Sequence, residues 1–348
     1  MKRKMGILVA LVLFTTLLAG CGKNTEQQTT KELNFEGVTF SDFKVFKAPQ
    51  KSLRSMAASK DGTAIYTGHI GLGANGVRKF DVSTGELLWS YHDAIAAGNI
   101  DTYHEYPKGI AVDDRGYAYA MITYNDKTGA DLAILNDEDG SEVSLTFMDF
   151  GQIDSGANGI AVRKDGDKYY AYFISNYGPN RIYCYDVTDP TTPVLNTDFG
   201  VDGFVNLAHK TEVEGADANY IVIADNGDMY VTIKLADGSK ADAIAKLSSD
   251  GKTFEKVIDC AEAYGISIAD GYILVSTYEG EASAVKVYKL SDYSLVATLG
   301  ADVESHGDYS QVLMIGNRLY VADQGYQTGA SADDIGSRIL VSGELGEK

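Results

Sequence analysis

The sequence predicts an all-β fold, a ring of six blades with four strands each. Three observations lead there. Short runs rich in aromatic and β-branched residues alternate with breaks that carry Gly, Pro, Asn or Asp, at intervals of about eight to twelve residues. The four-run unit recurs at a spacing of about fifty residues, with starts near Arg54, Lys108, Asn158, Val205, Tyr264 and Ser310. The last unit is one run short, and an unassigned strand-like run stands before the first. Apolar residues alternate rather than recur at helical spacing, which argues against a helical fold.

The unit is clearest from Asn158 to Phe199. It reads NGIAV, YYAYFISN, RIYCYDV and LNTDF, separated by RKDGDK, YGPN and TDPTTPV. The first unit reads RSMAAS, TAIYTG, VRKFDV and ELLWSY, and the second KGIAV, YAYAMITY, DLAILN and SEVSLTF. The fourth, from VNLAHK to FEKVI, is the least regular and leaves room for a seventh blade if it hides extra strands. The fifth reads YGISIAD, GYILVSTY, AVKVYKL and SLVATLG, and the sixth SQVLMIG, NRLYVAD and SRILVSG. The missing strand is available as GVTFSDFKVFK, Gly37 to Lys47, which would close the ring and remove exposed sheet edges.

The ends carry different information. Met1-Lys2-Arg3-Lys4, then an apolar run from Met5 to Leu18 and small residues, has the form of a secretory signal and is too short for a good membrane span. Leu18-Ala19-Gly20-Cys21 resembles the bacterial lipoprotein lipobox. That resemblance implies cleavage before Cys21 and acylation of its thiol and new N-terminus, palmitate included, giving an extracytoplasmic protein held on the cell membrane. The expected division is a signal peptide over 1–20, the lipidated Cys21 and a tether over 21–34, and a single propeller over 35–348, expected as a monomer. The net charge is −19, and losing the three basic residues of 1–20 takes it to −22, which disfavours nucleic acid as a partner. Cys184 and Cys260 belong to different repeats and are expected to be free thiols, although an exported location permits a disulfide.

Lys108-Gly109-Ile110-Ala111-Val112 and Asn158-Gly159-Ile160-Ala161-Val162 resemble the inner strand of NHL and gluconolactonase-type propellers. Asp81 to Trp89, DVSTGELLW, resembles a pyrroloquinoline-quinone-type repeat, and Asp186-Val187-Thr188-Asp189-Pro190 the LVIVD repeat of bacterial surface proteins. These families share a scaffold and differ in activity, so the resemblance implies fold more than function. Quinoproteins of this kind carry Trp in most repeats, whereas this chain has only Trp89, which is expected to pack between blades.

In such a ring the turns Lys60-Asp61-Gly62, Asp114-Arg115-Gly116, Asp139-Gly140 and Gly316-Asn317 fall on one face. The longer connections fall on the other: 69–76, 91–108, 149–157, 301–309 and 323–336. That second set holds His69, His92, His104 and His306, with Tyr103, Tyr106, Tyr124, Tyr177, Tyr264, Tyr278, Tyr309 and Tyr326 in or beside it, while His209 falls on an inner strand. Long loops with amphipathic aromatics suit a binding surface. Arg54 and Lys108 are expected at the channel mouth on that face, with Asn158 and Tyr264 nearby and Tyr103, His104, Tyr106 and His306 around them. Two cations converging there would favour a small anionic or oxygen-rich ligand, unless both pair with acids such as Asp101, Glu105 or Asp202.

Two other classes compete with a binding module. A gluconolactonase-type hydrolase or lyase is what the resemblance implies, with calcium held by carboxylate and Asn oxygens; of the six aligned positions, Asn158 fits that pattern. The third class is a structural or assembly scaffold. Asn136 to Gly140 and Asp225 to Asp228 lack the spacing of an EF-hand loop and read first as hairpin turns. No Gly-x-Ser-x-Gly motif and no zinc-type Cys/His spacing occurs, so no catalytic residue and no cofactor is assigned.

Overall fold

The computed structural model describes residues 32–43, 53–70, 75–92, 105–124, 126–151, 156–176, 180–207, 217–234, 242–278, 282–303, 308–324 and 337–348. Cys21, Tyr103, His104, His209 and His306 lie outside the described residues.

The described chain is almost wholly β. Two short strands come first, β1 (Leu33–Asn34) and β2 (Phe40–Asp42). Blade one holds β3 (Leu53–Ala58), β4 (Ala64–His69), β5 (Gly76–Asp81) and β6 (Leu87–Tyr91). Blade two holds β7 (Glu105–Val112), β8 (Tyr117–Tyr124), β9 (Gly129–Asn136) and β10 (Glu142–Asp149). Blade three holds β11 (Gly156–Asp165), β12 (Lys168–Asn176), β13 (Arg181–Asp186), and a split outer strand, β14 (Val194–Leu195) and β15 (Phe204–Asn206), both paired to β13. Blade four holds β16 (Asp217–Ile223), β17 (Met229–Lys234), β18 (Ala243–Leu247) and β19 (Phe254–Asp259). Blade five holds β20 (Ala263–Ala269), β21 (Tyr272–Thr277), β22 (Val285–Lys289) and β23 (Leu295–Leu299). Blade six holds β24 (Tyr309–Ile315), β25 (Arg318–Asp323) and β26 (Arg338–Ser342), and β27 (Gly346–Glu347) ends the chain.

Every pairing is antiparallel. The inner strands neighbour one another all the way round, β3 beside β7, then β11, β16, β20 and β24, and β24 back to β3. The propeller therefore has six blades. Its apolar interior is divided into six clusters, one between each pair of neighbouring blades. This explains the strand compositions. A middle strand such as β4 lies between two other blades and is buried along its whole length, whereas outer β10 is exposed or half-buried everywhere except Met148.

The N-terminal strand closes the ring as expected. β2 is the fourth strand of blade six, beside β26, with Phe40 opposite Ser342 and Asp42 opposite Leu340. Upstream, β1 pairs with β27, and Leu33 is buried with Phe35 in the cluster between blades five and six. Leu33 and Asn34, placed at the end of the tether by the sequence division, thus belong to the fold.

The fourth unit corrects the repeat alignment. Val205 lies in β15, on the outer edge of blade three, and the inner strand of blade four is β16. The extra run that left room for a seventh blade belongs to blade three.

The acidic turns act structurally. Asp137 accepts hydrogen bonds from Tyr66 and from Lys79 Nζ at 2.7 Å, and its carbonyl accepts from Trp89 Nε1 at 2.9 Å, locking blade one to blade two. Trp89 packs on Tyr66 in the cluster between those blades. Asp228 pairs with Lys246 at 2.7 Å. Cys184 and Cys260 are both buried and are not joined in a disulfide, and burial pushes the Cys184 thiol up to about 11. His69, assigned by sequence to a loop, is the last residue of β4 and is buried; burial, with Arg78 nearby, holds it neutral.

Hairpin aspartates carry a pH consequence. Hydrogen bonds from Ser59 and Thr63 hold Asp61 at about 2, and Ser83 and Thr84 do the same for Asp81. Asp139, Asp189, Asp250 and Asp292 are lowered by Ser or Thr donors in the same way. Unfolded, such carboxyls titrate near about 3.9. A carboxyl whose folded pKa is lowered adds stability that is complete above the unfolded value and lost as pH falls through the folded one. The urea midpoint should therefore fall between about pH 4 and pH 2. A midpoint that holds to pH 2 would contradict this account.

Candidate functional site

The site is built from one feature repeated six times. Each inner strand slips register against its neighbour near its N-terminal end. The slips lie between Leu53 and Ser55, Pro107 and Gly109, Ala157 and Ile160, Ala218 and Ile221, Ala263 and Ile266, and Tyr309 and Gln311. A β-bulge re-aims the side chains it carries. The bulged positions include Arg54, Lys108, Asn158, Asn219, Tyr264 and Ser310, the positions singled out by sequence except that Asn219 replaces Val205.

The inner strands approach one another closely at this level. A Cβ on Gly109 would lie 2.1 Å from the carbonyl oxygen of Asn158, and one on Gly159 would lie 2.6 Å from the Cα of Tyr220. Glycine is required at these two positions by the backbones of adjoining blades. Tyr220, buried on β16, then reaches across the ring. Its hydroxyl donates to the backbone carbonyl of Arg54 in blade one and lies 3.3 Å from that of Lys108 in blade two. Burial, the largest influence, keeps this phenol protonated, with its pKa well above the usual range.

Arg54 lies against a set of phenols. Its Nη1 donates to the Tyr264 hydroxyl at 2.9 Å and reaches that of Tyr278 at 3.4 Å. The guanidinium carbon is 5.9 Å and 5.7 Å from the two ring centroids, within cation–π range, and the rings are 4.8 Å apart. Nε is buried and has no hydrogen-bond partner. No carboxylate of a described residue stands within ion-pair distance of Arg54, whereas Arg115, Arg163, Arg318 and Arg338 all have one. Burial works to lower its pKa, but Tyr264, Tyr278 and Tyr220 together outweigh that and shift it upward. The group is a permanent cation with part of its surface open.

The structure thus brings Arg54 and Tyr264 into contact and ties Lys108 to them through its carbonyl. Asn158 is buried beside Gly109, and Tyr106 is half-buried two residues before Lys108 on β7. Of the acids that sequence offered as partners for the two cations, Asp202 is exposed in the turn before β15, and Asp101 and the Glu105 side chain lie outside the described residues. Tyr220 was missed by sequence reasoning, and Tyr278 was placed only in the general aromatic set. The signal for Tyr220 is present: Ala218-Asn219-Tyr220-Ile221 repeats Ala157-Asn158-Gly159-Ile160.

The donor set does not suit a divalent cation. Neither Arg54 nor Lys108 can ligate calcium, the bulged positions supply Asn158 and Asn219 without a carboxylate, and no group of three or more His, Cys, Asp or Glu converges among the described residues.

Comparison with family models and with curated protein sequences finds no match. Solved structures do match. The PQQ-bound aldose sugar dehydrogenase of Streptomyces coelicolor is 14% identical, with a TM-score of 0.59 over 89% of this chain and 98% of that one. A gluconolactonase of Xanthomonas campestris is 13% identical, with a TM-score of 0.53 over 91% and 92%. A protein of unknown function from Dyadobacter fermentans is 12% identical, with a TM-score of 0.58 over 90% and 100%. At these identities the likeness shows the six-bladed propeller fold.

Proposed function

We propose that the protein is a lipid-anchored extracytoplasmic propeller that binds a small anionic or oxygen-rich ligand at the mouth formed by Arg54, Lys108, Asn158 and Tyr264, with Tyr278 completing the wall. The observation that carries this is the Arg54 guanidinium, with Nη1 on phenols and no carboxylate partner among the described residues, in a chain of net charge −19. A charge shielded from water without an opposite partner is costly, and a ligand carboxylate would supply that partner. The Nε–Nη2 edge is left for it, since that edge makes no hydrogen bond and matches two carboxylate oxygens. Nε is buried, so a ligand at this edge requires the surrounding side chains to move. Two structural neighbours, named as an aldose sugar dehydrogenase and a gluconolactonase, make a sugar acid a reasonable first ligand to test. A calcium-dependent lactonase would need carboxylates where Arg54 and Lys108 stand. A purely structural scaffold would show no ligand response.

Thermal-shift measurements with gluconate, glucuronate, citrate and their uncharged counterparts test the reading. The acids should raise the melting temperature of the native protein and fail to do so in Arg54→Gln/Lys108→Gln. Stabilisation that survives the double variant would remove the site. The anchor is tested by fractionation with Cys21→Ala, where unchanged membrane retention of processed variant protein would sink it.

A further inference from the structure

Blade three alone among the described blades breaks its outer strand. Residues 196–203 leave the sheet between β14 and β15, and Gly200, Asp202 and Gly203 take positive φ there. The excursion is well fastened. Cys184 N donates to the Gly203 carbonyl at 3.2 Å, Asn196 N donates to the Cys184 carbonyl at 2.9 Å, and Gly200 N donates to the Asp250 carbonyl of blade four at 2.9 Å. Interrupted edge pairing is a feature that proteins use to shape sites.

Between this excursion and the turn after β18 lies a groove of about 400 Å³, lined by Gly200, Val201, Phe204, Val205, Asn206, Gly251 and Lys252. That volume falls in the range of small-ligand sites. Its wall is mainly apolar, and Val201 is 70% exposed. The charge pattern points to the occupant. The chain carries 49 acidic against 30 basic residues, yet among the described residues no acidic side chain lines the groove, and the ionised group that does is Lys252. Lys252 Nζ lies a loose 3.5 Å from Asp250, and both side chains are largely exposed, so the ammonium can exchange partners. Phe204 is held from its other neighbour by Arg181, whose guanidinium carbon lies 4.1 Å from the ring centroid.

We propose that this groove is a second binding site, for a small amphipathic monocarboxylate such as a medium-chain alkanoate, with its apolar chain against Val201, Phe204 and Val205 and its carboxylate at Lys252. The site is independent of the channel mouth.

Calorimetric titration of the native protein with octanoate, and with octanol as the uncharged equivalent, is the test. Octanoate should bind and octanol should bind more weakly. Lys252→Gln should weaken octanoate about three- to fivefold, the range of an exposed ion pair. Val201→Asp, at an exposed position that folding does not depend on, should weaken it more than about tenfold by placing a carboxylate against the chain. Octanoate is also titrated into Arg54→Gln/Lys108→Gln, which removes any binding at the channel mouth; the binding that remains should still fall when Val201→Asp is added, so failure at the channel mouth and failure here are read separately. The proposal is overturned if octanoate does not bind, if it binds Val201→Asp as tightly as the native protein, or if octanol matches it.

Discussion

A chain lacking residues 33–43 is expected to melt at least about 10 °C below the intact protein or to show no cooperative transition. Two attachments go with that segment. β2 supplies the fourth strand of blade six, and its neighbourhood adds Phe43 N donating to the Ile339 carbonyl at 2.8 Å, an ion pair from Arg338 Nη1 to Asp42 at 3.0 Å, and Phe43 packed edge-on against Tyr320. β1 pairs the two ends of the described chain, and Leu33 and Phe35 fill the space between blades five and six, with Phe35 edge-on to Tyr272 at 5.1 Å. Full burial of a Leu or Phe stabilises by about 1.5–3 kcal/mol. Leu33 and Phe35, with the partly buried Val38, Phe40 and Phe43, therefore contribute on the order of 5–8 kcal/mol. Total stabilities of folded domains are about 5–15 kcal/mol, so the loss is comparable with the whole. The exposed edge of β26 would also become a template for aggregation. Circular dichroism melts of the two chains decide the matter. An unchanged melting temperature would mean that the closure carries no weight.

The second large effect is expected from one methyl group. Gly109→Ala places a Cβ 2.1 Å from the carbonyl oxygen of Asn158 on the next inner strand; the Cβ is fixed rigidly to the β7 backbone and the oxygen belongs to the β11 backbone. Neither side can rotate away, so blades two and three must separate. Overpacking costs about 1–3 kcal/mol and occasionally more, and a clash between fixed strands belongs at the upper end. Gly343→Ala is the control, since nothing lies within 4 Å of its added Cβ and it should change stability by less than about 0.5 kcal/mol. Urea midpoints of the two variants should differ accordingly, and equal midpoints would refute the close approach of β7 and β11. Because Tyr220 reaches the carbonyls of Arg54 and Lys108 across the same ring, separation of these blades should also blunt any stabilisation by acids at Arg54.

Much of this architecture is legible in the sequence because its signals are local. Strands and hairpins follow from alternation and from turn residues such as Asp139-Gly140, and the closing strand follows from a missing run at one end and a spare run at the other. The Val205 alignment failed for a physical reason. The excursion at 196–203 lengthens the third unit, so a constant repeat spacing lands on β15 instead of β16. The Ala-Asn-x-Ile pattern shared by Ala157 and Ala218 would have restored the register, since it marks the bulge rather than the spacing.

The site divides in the same way. That Arg54, Lys108, Asn158 and Tyr264 occupy equivalent positions in their blades is readable from the chain alone, because equivalence is a property of the repeat. What surrounds Arg54 emerges only when the blades come together. Its partners Tyr264 and Tyr278 are 210 and 224 residues away, and Tyr220 is 166 away. No local pattern encodes such contacts. They arise when the ring closes and strands from blades one, four and five converge on a common centre, which leaves a guanidinium among phenols rather than beside an acid.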